Sequence, residues 1–166
     1  MQHTKQLALM GLLLGIIVIL GFLESTFVIP LMPPHARPGF ANIIVMITAT
    51  TIGKKQAITL NILKSLFVLI TRGPIAGLLS LTGGVLSIVV IILLLKFKNL
   101  SMIAISVAGA LTHSLGQFAV FMLLMQTPAF VFYLPVLLIS GIISGVLTGT
   151  LKQAIMPILK RLQKGM

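Results

Sequence analysis

The sequence has no cysteine and no aspartate, and Glu24 is its one acidic residue. Without cysteine there are no disulfides and no thiolate chemistry, and the redox compartment leaves no mark on the chain. One carboxylate does not make the acidic Mg²⁺ site through which an enzyme holds a diphosphate, because a hard cation needs several carboxylate oxygens. No Gly-x-x-x-x-Gly-Lys-Ser/Thr loop is present, so this chain does not itself hydrolyse ATP. His3, His35 and His113 are too scattered for a metal site. The reading is therefore of a protein that is not an enzyme on its own and carries no cofactor or metal.

Charged residues are scarce as well, at 8% of the chain, where soluble proteins carry about a quarter. What fills the sequence is apolar: 58% of its 166 residues are hydrophobic and the mean hydropathy is +1.20. This composition is that of an integral membrane protein, and the length suits a single transmembrane domain over residues 1–166. The net charge of +11 would suggest a nucleic-acid partner in a soluble protein. Here the basic residues fall mostly between apolar runs, where the positive-inside rule accounts for them, and no nucleic-acid partner is expected. The run from Leu7 to Leu23 is long for a signal-peptide core and lacks a clear small-x-small cleavage site, so it is taken as a retained helix.

A hydrocarbon core about 30 Å thick needs roughly 20 helical residues. Six segments qualify: Leu7 to Phe27, Gly39 to Ile52, Gln56 to Thr71, Pro74 to Leu95, Leu100 to Met125 and Leu134 to Leu151. With the N-terminus cytoplasmic, the inner loops hold Lys5, Lys54, Lys55, Lys96, Lys98, Lys152, Lys160, Arg161 and Lys164, and the outer loops hold Arg37 and Arg72. That asymmetry predicts six helices with both termini inside, in a multi-pass protein of the cell membrane. The first outer loop covers about residues 24–39, and residues 152–166 form a basic amphipathic tail on the cytoplasmic surface, where anionic lipid would attract it.

Within the spans, polar residues gather on faces. At about 100° per residue, and taking Asn61 as zero, Lys64 falls near roughly 300°, Ser65 near roughly 40° and Arg72 near roughly 20°. An ammonium at membrane depth costs a few kcal/mol, so this face should line the bundle or a wet cavity. The alternative is a snorkelling lysine, but about 12 Å of helix separate Lys64 from Arg72 at the interface. On the fifth helix, Ser106, His113 and Gln117 share a face, flanked by Thr112 and Ser114. They read as a site lining, or else as packing. Gly141, Gly145 and Gly149 repeat every four residues, as internal packing requires. Ala8, Gly11 and Gly15 repeat similarly and read either as internal packing or as a docking face for another subunit. The loop "ESTFVIPLMPPHARPGFAN" reads as a lid by its length and proline content, or else as a re-entrant or surface loop, and Glu24 within it is placed to offset Lys64, Arg72 or Arg37. A cavity of this charge suits an anion.

The blocks "FANIIVMI", "LLSLTGGVLSIVV", "ISVAGALTHSLGQF" and "YLPVLLISGIISGVLTG" occur in order from Phe40 to Gly149. They resemble the signature blocks of the Gx transporter family, also catalogued as component I of heptaprenyl diphosphate synthase. That family is in turn similar to the substrate-binding S-components of energy-coupling-factor (ECF) transporters. The resemblance implies six helices with both termini inside and an outer-half cavity capped by the first loop. It also implies a first helix that docks on a transmembrane coupling subunit driven by paired ATPases, with Ala8, Gly11 and Gly15 in the docking position. "RPGFAN", Arg37 to Asn42, stands where family members commonly carry a basic-Leu-Gly-Leu-Ala-Asn block, and it brings Arg37 and Asn42 into the candidate site. Some members occur in settings linked to flavin-based extracellular electron transfer or to quinone and prenyl metabolism.

The resulting expectation is a membrane substrate-binding subunit for a small anionic ligand, flavin- or vitamin-like, taken from outside. Lys64 and Arg72 hold the anion, Asn61, His113 and Gln117 orient it, and Phe130, Phe132 and Tyr133 stack on a planar ring. A non-transporting membrane partner in an electron-transfer or prenyl-quinone assembly, or a solitary facilitator, is the alternative. The synthase label does not match the chemistry of a chain with one acid.

Overall fold

The computed structural model describes residues 2–26, 41–97, 99–126 and 128–164. Among them there are six α-helices, one 3-10 helix and no strand. The α-helices are α1 (Gln2–Thr26), α2 (Asn42–Thr51), α3 (Lys54–Arg72), α4 (Pro74–Leu94), α5 (Met102–Met125) and α6 (Leu134–Lys164). The 3-10 helix, Pro128–Tyr133, leads into α6. Four helices are long and apolar enough to cross a membrane, through Gln6–Glu24, Pro74–Leu94, Met102–Met125 and Phe130–Ala154. These mark the chain as a membrane protein.

Local sequence sets the boundaries. Gly73, at φ 91°, both ends α3 and starts α4, and Pro74 follows at the first helical position, where its missing N–H is no loss. Ser101 caps α5 by accepting a hydrogen bond from the Ala104 N–H at 3.1 Å. α6 departs from expectation. It does not stop near Leu151 before a separate surface tail but continues as one helix to Lys164, through Pro157. No glycine or proline interrupts residues 150–156, so nothing in that stretch breaks the helix.

The helices pack in chain order: α5 lies between α4 and α6, α4 also rests on α3, and α3 carries α2 and α1. Glycines make the close seams. A Cβ on Gly145 would lie 2.5 Å from the Val107 Cα, and one on Gly149 would lie 2.7 Å from the Ile103 Cα, so α6 meets the α5 backbone directly. The apolar core between α1, α2, α3 and α4 is built from Ile17, Val45, Leu60 and Ile88. α1 is held least. Leu7, Leu12, Ile19 and Phe22 are exposed, and a Cβ on Gly11 or Gly15 would meet no described atom within 4 Å. Among the described residues, Gly11 and Gly15 of α1 are thus not used for internal packing, whereas Gly145 and Gly149 of α6 are.

Two contacts set the helix ends. Arg72 donates to the Gly21 carbonyl, which brings the C-terminal ends of α1 and α3 to one level. Lys152 lies 3.1 Å from the Met102 sulfur, which places that part of α6 beside the start of α5. Through the alternation of the helices, Lys54, Lys55, Lys96 and Lys152 gather at the end of the bundle opposite Glu24 and Arg72.

Candidate functional site

α3 supplies the centre of the site. Its periodicity brings Asn61, Lys64 and Ser65 onto the buried face and leaves Arg72 half-buried at the helix end. Lys64 is 7% exposed and donates to the Asn42 side-chain oxygen at the start of α2, so it does not snorkel. Glu24, near the end of α1, is also buried and lies close enough for its carboxylate to act on the Lys64 ammonium. These three charged groups share one cavity with Ser80, His113 and Gln117, while Ile17, Val18, Phe67 and Val68 form apolar wall. Its volume is about 50 Å³. That is room for a few waters or a small polar group, against several hundred Å³ for the pocket of a drug-sized ligand.

The second expected segment, Gly39 to Ile52, is present as α2, Asn42–Thr51. With ten residues it is about 15 Å long, half the thickness of a hydrocarbon core. Ala41 precedes it without a side-chain cap, and both Ala41 and Asn42 line cavities. Asn42, the first residue of α2, lies at the level of Lys64, on the side of the helix where the dipole is positive.

On α5, the Gln117 side-chain nitrogen lies 3.0 Å from His113 Nε2. An amide nitrogen donates only, so with the amide assigned this way Nε2 accepts and the imidazole proton sits on Nδ1. Nδ1 faces the Gly83 backbone without good hydrogen-bond geometry, and Gln117 Oε1 is likewise buried and unmatched. His113 also lines a second, inner cavity of about 20 Å³ whose polar lining is Asn42, Ser87, Ser106, Ser144 and Thr148. One imidazole therefore separates a charged chamber from a hydroxyl-lined one.

Asn61 takes a different place from the one expected. It is fully buried, neither atom of its amide has a hydrogen-bond partner, and it packs against Gly84 rather than lining either cavity. Tyr133 is apart from the charges too: its ring lies 5.8 Å from Phe130, which meets Phe121 edge-on at 4.8 Å. Phe132 is 86% exposed. Ala8, Gly11 and Gly15 are exposed on α1, and Arg37 and most of the first loop lie outside the described residues. The reading of polar faces passed over the pair Gly83–Gly84. Two glycines inside an otherwise apolar helix signal close approach, and a side chain at either would collide with His113 or Asn61.

A bundle of membrane-crossing helices around a small, buried, mixed-charge chamber defines the class of this protein. The chain belongs to the heptaprenyl diphosphate synthase component I family, whose model matches residues 13–155. No curated protein and no solved structure matches it significantly.

Proposed function

We propose that the chain is the membrane-embedded substrate-binding subunit of an ECF-type transporter, with six spans and both termini cytoplasmic. It binds a small anionic ligand from the outer side. The observation that carries this reading is the convergence of Lys64, Arg72 and the α2 N-terminus on one buried cavity that contains a single carboxylate. Two cations against one anion leave a net attraction for a negative group, strengthened by the low dielectric around it. The orientation is supported by the lysines collected at the opposite end of the bundle. The exposed Ala8, Gly11 and Gly15 stripe on the lightly packed α1 suits docking to a transmembrane coupling subunit with paired ATPases, which would supply the work. A flavin- or vitamin-like ligand requires the cavity to widen, and α1 is the wall with the least packing to lose.

The synthase component of the family name does not translate into catalysis by this chain, whose one carboxylate cannot build an Mg²⁺–diphosphate site. The exposed α1 stripe also fits a non-transporting membrane partner. Affinity purification from the native membrane separates the two: co-purification of an ATPase-bearing module supports transport, and a flavoprotein or prenyltransferase alone supports scaffolding. Calorimetric titration tests the ligand class. Flavin nucleotides or other anions should bind, and binding confined to neutral or cationic compounds would overturn the anionic site.

A further inference from the structure

Beside the charged cavity lies a larger and quite different space. A groove of about 630 Å³ runs along the seam between α1 and α3, walled by Val18, Ile19, Phe22, Leu23 and Phe67, with Arg72 at its polar end. It shares Val18, Phe67 and Arg72 with the cavity, so the two are neighbours across one set of side chains. Phe22 is 69% and Ile19 61% exposed. The cavity accepts a polar group the size of a carboxylate or phosphate, and the groove offers more than ten times that room to something apolar.

We infer that the cavity is the head-group end of a longer site whose ligand is a membrane-borne amphiphile, with one small anionic head and one extended apolar chain. The inference rests on the reading above in which Lys64 and Arg72 hold an anion. The head passes from the interface to Arg72 and Lys64, where charge complementarity offsets its desolvation. The chain stays along Ile19, Phe22 and Phe67, already in an apolar medium, so it has no water to shed, and only the shared side chains Val18, Phe67 and Arg72 have to turn aside for the head to pass from groove to cavity. A water-soluble ligand of the same head chemistry would leave the groove without a role.

The absence of tryptophan supplies the test. Phe22→Trp makes an indole in the groove the sole one in the full chain, reconstituted in nanodiscs of zwitterionic lipid. Titration with an alkyl phosphate brominated along its chain should quench it saturably, at tenfold or more lower concentration than the brominated alcohol of equal length. Adding Arg72→Gln or, independently, Ile19→Phe should shift the midpoint tenfold or more, with folding checked by circular dichroism. Equal, non-saturable quenching by alcohol and phosphate, or an unchanged midpoint in the folded variants, would show ordinary annular lipid and overturn the proposal. If soluble anions still bind in calorimetry while quenching stays non-saturable, the anionic site stands and the amphiphile falls. If neither binds, both fall.

Discussion

Lys64 is held in the least favourable place for a lysine, buried at mid-helix among apolar residues, and its compensation is the Asn42 oxygen together with the charge of Glu24. A carboxamide is a weak partner for an ammonium, and one carboxylate serves a neighbourhood that also contains Arg72. Lys64→Met should therefore leave the helical fold and its thermal stability close to wild type while weakening an anionic ligand by roughly 10- to 100-fold, the worth of a charged hydrogen bond. Titration calorimetry and circular dichroism read the two effects, and unchanged affinity would remove Lys64 from the site. Gly84→Ala should act in the opposite sense. Its methyl meets the Asn61 amide, so the α3–α4 seam must open, at about 1–3 kcal/mol of stability read as a fall in melting temperature.

At the level of elements, the two glycine-bearing helices have the same spacing and opposite fates. Gly145→Ala drives a methyl into the α5 backbone and should destabilise by about 1–3 kcal/mol. Gly11→Ala meets nothing within 4 Å and should change stability by less than about 0.5 kcal/mol. Gly11→Leu should leave folding intact yet abolish co-purification of a coupling subunit, and retained co-purification would move the docking surface elsewhere. Spacing of small residues was legible in the sequence; which stripe faces inward was not, because it depends on where α1 comes to rest. Likewise the polar face of α3 followed from periodicity, since Lys64 and Ser65 lie where about 100° per residue puts them. Asn61 lies on that face as well; what periodicity could not show is that Gly84, on another helix, closes over its amide.

For the whole molecule, hydropathy and loop charge gave six helices with ends close to those found, apart from the uninterrupted course of α6. Of the short segment expected over Gly39 to Ile52, the described residues hold α2 from Asn42 to Thr51. The natural absence of cysteine makes orientation directly measurable. Single Thr71→Cys and Gln126→Cys chains should react with an impermeant maleimide in intact cells, and a Thr4→Cys chain only after the membrane is opened. The reverse pattern would invert the topology.

The bond from Arg72 to Gly21 ends on a backbone carbonyl, a group that every amino acid supplies. That bond therefore does not depend on which side chain α1 carries at position 21, whereas a single change at Arg72 removes the bond and one wall of the charged chamber together.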